Sequence, residues 1–535
     1  MATLRRLPWY AIATTLLLAA CLYYGWAFLQ RTSIDVDGEV MHALFDDAMI
    51  SMQFAKNFAR GEGLVWNAGG ARVEGFSNPL WVLIMSVVHL FPLKLTETSF
   101  YVKLISLACL FTNLFMVKGL AEHFSKNRLV PLAAIFLTGF YYSLNTWSLQ
   151  GMEVGLQALL LSAALLLGLR ALQQNRFQPW MYVLFSLLIL LRMDSAAPTL
   201  AATMAFAWID PNHRRKHLLW GAAAIFGTLL ALTAWRYAYY GELLPNTYYL
   251  KLGSGSTVLR ISIGLRRLWD FVWLGNWTLF ALVLLLPILD RSKALLPLYA
   301  AILAQVAYSV YVGGDAWEHV GGANRFIAAV MPLFFVLYAH TLALLAGLVL
   351  SRFTRRPAWA APLANLVVAL WVAVSLFNFN DSVPENGLAR WTLVANPIFT
   401  ESSERYARMG ILLGQITEPE AVIAVVTAGN LPYFSERTSV DLLGKNDPVI
   451  AHLPARINSS LFHPADFRPG HNKWDYAYSI GQLQPDVVAQ IWEDTEEEAA
   501  PYLVNYEKYI IDGIPYYFRE DSPYVRWELL PADGK

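Results

Sequence analysis

The chain has 535 residues, of which 56% are hydrophobic and 15% are charged, and its formal net charge is zero. Soluble globular proteins are about half apolar and about a quarter charged, so this composition indicates a polytopic membrane protein. The balanced charge gives no reason to expect a nucleic-acid partner. Both cysteines, Cys21 and Cys109, lie within apolar runs, which excludes a disulfide framework and a cysteine metal site.

The first apolar run covers residues 9–29, and about 20 apolar residues are enough to cross a bilayer. Arg5 and Arg6 precede this run and no small-residue cleavage site follows it, so we interpret it as a retained first helix. Because positively charged flanks remain in the cytoplasm, the segment after this helix is expected to lie outside.

That segment, the first outer loop at residues 30–79, is predicted to carry a juxtamembrane helix over 45–60. Its apolar residues recur at helical spacing, which is typical of a helix lying in the membrane interface with its apolar side toward lipid or the other spans. Asp46 and Asp47 lie in the first turn, where carboxylates are common caps and need no chemical role. Neighbouring side chains on a helix point about 100° apart, so the two aspartates cannot do the same job.

Further apolar runs follow, and several are shorter than the roughly 17 residues that span a bilayer comfortably. They cover residues 80–91, 101–117, 129–144, 154–169, 180–191, 196–209, 218–239, 271–289, 294–312, 326–350 and 359–377. Basic connections at 118–128, 213–216 and 352–356 are expected inside, which places the region after residue 377 outside. An odd number of crossings, about eleven or thirteen, satisfies these constraints.

Long apolar runs end near residue 377, and residues 378–535 are enough for one soluble extracytoplasmic domain. Buried strands are predicted at 421–426 and 486–490, and the Asp512-Gly513 pair predicts a hairpin between 506–511 and 514–519. The sequence therefore predicts a mainly α protein, with a transmembrane helix bundle in residues 1–377 and a mixed α/β domain in residues 378–535.

Two segments place polar side chains at the outer ends of predicted spans. Residues 244–251 contain Tyr248, Tyr249 and Lys251, which fit a sugar and phosphate contact as well as they fit an interfacial aromatic belt with a snorkelling lysine. Residues 313–326 contain two glycine pairs together with Arg325, a residue type suited to bidentate phosphate contact. The same short loop holds Asp315, Glu318 and His319.

Arg192 and Asp194 interrupt an apolar region of the chain. Charged residues at membrane depth are costly unless they are paired, so a structural ion pair between them is the interpretation we favour.

Three parts of the first outer loop carry a family resemblance. Residues 46–51 (D-D-A-M-I-S), 61–67 (G-E-G-L-V-W-N) and 73–81 (V-E-G-F-S-N-P-L-W) resemble, in order and spacing, the first periplasmic loop of the GT-C glycosyltransferases. The similarity is to the group related to the terminal arabinofuranosyltransferase of mycobacterial cell walls. Residues 439–452 (S-V-D-L-L-G-K-N-D-P-V-I-A-H) resemble a stretch of the outer domain in the same group.

This resemblance implies an inverting transfer of a sugar, arabinofuranose in the nearest relatives, from a polyprenyl-phosphate donor to a hydroxyl of a glycan or surface protein. The reaction would take place at the outer face of a bacterial inner membrane. Asp46 or Asp47 would be the general base, and the other would bind sugar, acceptor or a divalent cation such as Mg, Mn or Ca. Arg325 and Lys251 would bind the donor phosphate. The remaining substrate-binding candidates are Glu74, Asn78, Tyr248, Tyr249, Asp315, Glu318 and His319.

Two other classes of function remain open at this point. Lys103, Arg236 and Asp270, together with Arg192 and Asp194, lie near or within spans and would suit the pathway of a transporter or of a flippase for lipid-linked sugars. The sequence shows no internal repeat of the kind that many transporters carry. The third class is a non-catalytic, glycan-binding membrane scaffold.

Overall fold

A computed structural model of the protein describes residues 9–36, 38–252, 256–318, 324–351, 359–381, 386–456 and 467–531. His319 and the predicted inward cluster of Arg352, Arg355 and Arg356 lie outside the described residues.

The apolar runs form helices that pack into a helical bundle, residues 9–381. Its helices are α1 (Trp9–Arg31), α2 (Asp46–Ala59), α3 (Pro79–His89), α4 (Leu95–Phe124), α5 (Leu129–Gly139), α6 (Tyr142–Leu149), α7 (Val154–Gln173), α8 (Trp180–Leu191), α9 (Ala196–Ile209), α10 (Arg214–Ala222), α11 (Thr228–Tyr240), α12 (Asn246–Leu252), α13 (Thr257–Leu274), α14 (Trp277–Leu284), α15 (Leu286–Leu289), α16 (Leu296–Val312), α17 (Arg325–Ala328), α18 (Met331–Ser351) and α19 (Ala360–Asp381). Between α1 and α2 the chain forms a short antiparallel pair, β1 (Ser33–Val36) and β2 (Glu39–His42).

Within the described residues, seven helices are long and apolar enough to cross a membrane, which makes this a multi-pass membrane protein. Two strongly bent helix pairs, α5 with α6 and α13 with Trp277–Leu289, raise the count to nine if each pair is one span. The apolar helices α3 and α8 are shorter and fall outside this count. The expectation of about eleven or thirteen crossings had counted such short runs as spans.

The basic connection at 118–128 and the aspartate pair lie far apart in the bundle. At the end where α1 begins, the Arg128 guanidinium lies 5.5 Å from the centre of the Tyr10 ring, and the Tyr10 hydroxyl donates to Glu122 at 2.7 Å. Since α1 has 23 residues, it carries the chain about 35 Å to the opposite end, where α2 lies. The basic connection around Arg128 and the aspartate pair are therefore at opposite ends of the bundle.

The predicted helix over 45–60 is present as α2, and protein encloses it on two sides. Every residue from Ala48 to Asn57 is buried, because α3 covers one side of the helix and the C-terminal part of the chain covers the other. Of the two surroundings expected for its apolar side, lipid or the other spans, this packing favours the second.

The C-terminal domain, residues 386–531, contains one mixed sheet flanked by helices. Its elements are α20 (Gly387–Trp391), α21 (Thr400–Ile416), β3 (Val422–Val425), α22 (Asn430–Ser435), β4 (Thr438–Asp441), α23 (Pro448–Ala451), β5 (Val487–Val488), α24 (Glu496–Ala499), β6 (Tyr506–Ile511) and β7 (Ile514–Arg519). The strand order is β4-β3-β5-β7-β6, with β3 parallel to β4 and β5, and β7 antiparallel to β5 and β6.

The predicted hairpin is confirmed as β6 and β7, paired along their whole length. Asp512 and Gly513 form its two-residue turn, with φ angles of 52° and 74°. Such a turn requires positive φ at both positions, which is why the Asp-Gly pair could be recognised in the sequence.

Buried hydrogen bonds join the C-terminal domain to the first outer loop. The Asn67 side chain pairs with the backbone of Ser439, donating to its carbonyl at 2.9 Å and accepting from its N–H at 3.0 Å. Trp66 Nε1 donates to the Ala428 carbonyl at 3.0 Å. Lys56 Nζ donates to the Tyr433 carbonyl at 3.0 Å. The domain is thus fixed to the segment that carries the aspartate pair.

We expect Trp66→Phe to lower the free energy of unfolding by about 1–3 kcal/mol, because the ring still packs while the Ala428 carbonyl loses its donor. The measurement is thermal unfolding in detergent, where the variant should melt at a lower temperature. Trp180→Phe is the control, because Trp180 is 64% exposed. Equal melting temperatures for wild type and Trp66→Phe would contradict the role of this hydrogen bond.

Candidate active site

Asp46 connects α2 to the C-terminal domain. Its Oδ1 accepts hydrogen bonds from the Asn430 backbone N–H at 2.8 Å and from Asn430 Nδ2 at 3.3 Å. Asn430 is the first residue of α22, so the carboxylate satisfies a donor at the start of that helix. Burial raises the pKa of Asp46 to about 6, against the effect of these hydrogen bonds. The expected cap of α2 is not formed, because α2 has no side-chain cap hydrogen bond and Asp46 binds the beginning of α22 instead.

Asp47 is surrounded by cations. Its Oδ2 accepts from Arg325 Nη1 at 3.1 Å and from Trp317 Nε1 at 3.4 Å, and its Oδ1 accepts from Lys445 Nζ. Burial alone would raise the pKa of Asp47. The charges of Lys445, Arg325 and Lys251 outweigh burial and hold it well below the usual value, so the carboxylate is ionised at neutral pH.

The glycine-rich loop before α17 brings Asp315 and Arg325 together. Gly313 and Gly314 have φ angles of 91° and 84°, a backbone conformation that favours glycine. The loop turns there, so that Asp315 Oδ2 lies 3.0 Å from Arg325 Nε and accepts the Arg325 backbone N–H at 3.1 Å. Arg325 therefore connects two carboxylates, Asp315 on one side and Asp47 on the other.

Lys251, near the end of α12, faces the same cluster. Its ammonium has no hydrogen-bond partner among the residues that the structure describes. Burial, with a contribution from the charge of Arg325, lowers the pKa of Lys251 to about 8, and the charge of Asp47 acts in the opposite direction. Lys251 is thus a partly buried cation available to an anionic ligand.

A central cavity of about 50 Å³ lies between these groups. Its charged lining consists of the four cations Arg192, Lys251, Arg325 and Lys445 and the two carboxylates Asp47 and Glu153. The excess of positive over negative side chains makes this cavity suited to a phosphate group.

Two larger cavities adjoin the central one. The bundle-side cavity, about 130 Å³, shares Arg192, Lys251 and Arg325 with it and has a largely apolar wall that includes Tyr248, Tyr308, Val312 and Phe326. The domain-side cavity, about 400 Å³, shares Asp47 and Lys445 with it and is lined by aromatic and polar groups that include Trp317, Phe399, Trp492 and Asp441. The central cavity therefore connects an apolar wall at the end of α16 with a polar and aromatic wall on the C-terminal domain.

A chain of buried polar contacts supports the central cavity. The predicted pair of Arg192 with Asp194 is present at 2.9 Å, and Arg192 Nη1 also donates to Glu153 Oε1 at 2.5 Å. Asn78 Nδ2 donates to Glu153 Oε2 at 2.8 Å, and Asn78 Oδ1 accepts from the Ser51 hydroxyl at 3.0 Å. These contacts hold α2, α3, α7 and α8 together beneath Asp47.

Glu74 and Tyr249 do not line any of these three cavities. The Glu74 carboxylate is buried and pairs with Arg236, accepting from its Nε and, at 3.2 Å, from its Nη2. The Tyr249 hydroxyl donates to Glu242 at 3.2 Å, and its ring lies against that of His452, tilted by 31° with 4.3 Å between centres. Their predicted role in substrate binding has no support from these positions, because each group already has a protein partner.

Glu318 lies beyond Asp315, with its Oε2 3.7 Å from Arg267 Nε. Burial raises the pKa of Glu318 to about 8, and the nearby charge of Asp315 acts in the same direction. Tyr248 lines the bundle-side cavity and is 40% exposed. Of the predicted substrate-binding residues, Asn78 therefore lines the central cavity, and Tyr248 and Asp315 line the bundle-side cavity.

Sequence reasoning missed Lys445 and Glu153, which both contact residues of the central cavity. Lys445 is 398 residues from Asp47 in the chain. It is the lysine of the 439–452 stretch, so the resemblance of that stretch was the available signal. Glu153 precedes α7 and had no comparable signal in the sequence.

The residues around Asp47 do not fit a divalent cation. Asp47 already accepts hydrogen bonds from two cationic side chains, and Asp46 points instead to Asn430. No group of three or more metal-ligating side chains occurs in the described ranges.

The charged residues that would suit a transport pathway are engaged in local contacts. Lys103 Nζ donates to the Thr32 carbonyl at 3.2 Å and to its hydroxyl at 3.0 Å. Asp270 accepts from Arg266 at 3.0 Å. Arg236 is paired with Glu74, as described above. Each of these groups therefore has a structural explanation that does not require transport.

Comparisons with known proteins agree with this architecture. A family model described as "Domain of unknown function (DUF8728)" matches residues 396–527. No curated protein matches the chain. The chain is similar to the crystal structure of ArnT from Cupriavidus metallidurans bound to undecaprenyl phosphate, with 13% identity and a TM-score of 0.54 over 95% of this chain and 98% of that one.

It is also similar to the archaeal oligosaccharyltransferase AglB from Archaeoglobus fulgidus in complex with an inhibitory peptide and a dolichol-phosphate. In that comparison the identity is 11% and the TM-score is 0.54, over 96% of this chain and 75% of that one. At these identities the similarity concerns the fold alone. The predicted fold class, a mainly helical membrane-spanning bundle with a C-terminal domain that contains a sheet, is confirmed.

Proposed function

We propose that this protein is an integral-membrane glycosyltransferase that moves a sugar from a polyprenyl-phosphate donor to a hydroxyl acceptor. The observation that carries the proposal is the position of the ionised Asp47, which lines both the central cavity and the domain-side cavity. Asp47 has cations on one side and an open polar cavity on the other. This arrangement suits the transfer of a sugar from a phosphate, which the cations would bind, to an acceptor in the polar cavity. The GT-C fold supports the same class of reaction.

In this proposal the donor phosphate occupies the central cavity. Lys251, whose ammonium has no partner in the described part of the chain, and Arg325, whose guanidinium can hold two oxygens, are its ligands. The prenyl chain follows the apolar wall of the bundle-side cavity past Tyr248 and Phe326 toward the end of α16. The ArnT structure named above contains undecaprenyl phosphate, which supports a lipid phosphate as the type of ligand.

The acceptor hydroxyl enters through the domain-side cavity. Its oxygen attacks the anomeric carbon of the sugar as the bond from that carbon to the phosphate oxygen breaks, which inverts the configuration. The hydroxyl proton passes to Asp47, and the phosphate leaves with the bonding electron pair. The cations of the central cavity stabilise the charge that develops on the phosphate.

Asp47 is the general base in this proposal, and Asp46 has a structural role, because it binds the start of α22. Asp47 reaches the central cavity, whereas Asp46 lines only the domain-side cavity and holds Asn430. The low pKa of Asp47 in the unliganded protein depends on its contacts with cations. A phosphate that shares those cations would raise the pKa and make the carboxylate a better proton acceptor.

The finer assignments rest on the family resemblance of residues 46–81. They are arabinofuranose as the sugar, a glycan or a surface protein as the acceptor, and a bacterial inner membrane with the site on the periplasmic side. The proposed transfer uses no divalent cation, because the side chains around Asp47 do not fit one.

We expect Asp47→Asn to lower the rate of transfer by about 10²–10⁴-fold, because an amide cannot accept the proton of the acceptor hydroxyl. Asp46→Asn should stay close to wild type, since an amide oxygen still accepts hydrogen bonds from Asn430. The measurement is sugar transfer from a polyprenyl-phosphate donor in nanodiscs, normalised to folded protein. Wild-type rates in Asp47→Asn would remove Asp47 from catalysis, and an inactive Asp46→Asn beside an active Asp47→Asn would reverse the two roles.

Arg325→Lys should raise the donor KM or lower kcat by at least about tenfold. A lysine keeps the charge, but it cannot contact Asp47, Asp315 and a phosphate together as the planar guanidinium does. Arg266→Lys is the matched control, because Arg266 forms an exposed pair with Asp270 on α13 and such pairs contribute little. Unchanged donor kinetics in Arg325→Lys would exclude Arg325 from the phosphate site.

The proposed orientation places the C-terminal domain outside the cytoplasm, since the basic connection around Arg128 lies at the opposite end of the bundle. Alkaline phosphatase fused after the C-terminal domain should therefore be active, because this enzyme folds only after export. A cytoplasmic reporter fused at the same place should be inactive. The reverse pattern would invert the orientation.

A further inference from the structure

Lys445 belongs to the C-terminal domain, yet its ammonium lies at the centre of a site that the helical bundle otherwise builds. The residue follows β4 in a tight turn, in which Gly444 has a φ angle of 80°. The buried Asp441 carboxylate organises this turn. Its Oδ1 accepts the backbone N–H groups of Leu443 and Gly444, both at 3.0 Å, and its Oδ2 accepts that of Asn446 at 2.8 Å.

The helical bundle holds the same turn from its other side. Asn246, the first residue of α12, donates from Nδ2 to the carbonyl oxygens of Gly444 and Lys445, both at 2.9 Å. Asn246 is thus a positioning residue, which acts through the backbone of Lys445. Because both sides fix the turn, the direction of the Lys445 side chain into the central cavity follows from the fold.

Lys445 donates to Asp47, and it lines both the central cavity and the domain-side cavity. On the basis of the proposed function, we propose that Lys445 is a ligand of the donor phosphate and that Asp47 holds it in place while the site is empty. Asp47 and the phosphate then compete for one ammonium. The C-terminal domain consequently supplies part of the reaction centre in addition to covering it.

The transfer step changes the outcome of this competition between Asp47 and the phosphate for Lys445. The donor phosphate carries one negative charge, and it gains a second when the bond to the sugar breaks and it keeps the electron pair. In the same step Asp47 takes the acceptor proton and becomes neutral, so its attraction for Lys445 ends. The ammonium is therefore released from the base as the leaving phosphate becomes more negative. The freed ammonium therefore stabilises the transition state more than it stabilises the bound substrate.

The test is the binding of undecaprenyl phosphate to the full-length protein in detergent, measured by equilibrium titration. Lys445→Met should weaken binding by about ten- to hundred-fold, the usual effect of losing one charged hydrogen bond. Lys445→Arg should retain most of the affinity because it keeps the charge. Asp47→Asn should bind more tightly than wild type, because the competing carboxylate is gone. That gain should be smaller in the Lys445→Met background.

Lys508→Met is the control, since Lys508 is an exposed lysine of β6 in the same domain. It should bind undecaprenyl phosphate as wild type does, and melting temperatures should show that all variants are folded. Equal affinities of Lys445→Met and wild type would overturn the inference, as would an Asp47→Asn variant that binds no more tightly than wild type. If the binding pattern appears but no sugar is transferred, the inference stands and the proposed transferase activity fails.

Discussion

The rest of the structure depends on one constraint at Asp47: the charges of the cations packed around it must be neutralised. Arg325 and Lys445 are both nearly buried, with side chains 7% and 12% exposed. Removing such cations from water costs several kcal/mol each unless an anion stands beside them. Asp47 supplies that anion, and Asp315 supplies a second one for Arg325. The carboxylates thereby allow these cations to lie close together away from water.

The fold gathers these charges from distant parts of the chain. Asp47 comes from α2, Arg325 from α17, Lys251 from α12 and Lys445 from the turn after β4. Short helices and glycine-containing turns carry these groups, whereas the long apolar helices provide the frame. Such an arrangement separates the requirements of the membrane, which favour continuous apolar helices, from those of the site, which needs charged groups held at defined positions.

Local sequence signals were sufficient to find part of the site. Asp47 was visible in an amphipathic pattern followed by glycines, and Arg325 in a loop with two glycine pairs. Lys251 could be read as a ligand or as a snorkelling lysine, and only the packing around α12 places it in the cluster. Lys445 and Glu153 carried no local signal that named their partners, because their contacts join segments that are far apart in sequence.

The same limit applies to the surroundings of α2. An amphipathic pattern shows that one side of a helix needs apolar cover, and it does not tell whether the polar side meets water or a second protein layer. Here Lys56 of α2 donates to the Tyr433 carbonyl of the C-terminal domain. The Asp-Gly hairpin, by contrast, was predictable because the turn depends on two adjacent residues alone.

The contact between Asp46 and Asn430 has a consequence for the biosynthesis of the protein. The two residues are 384 positions apart, so at about 5–20 residues per second the ribosome needs roughly 20–80 s to make the second after the first. During that interval the aspartate pair is outside its final environment, because neither α22 nor Lys445 exists yet. The proposed reaction centre is therefore assembled late, after α22 and Lys445 have been made and have reached the same side of the membrane as α2.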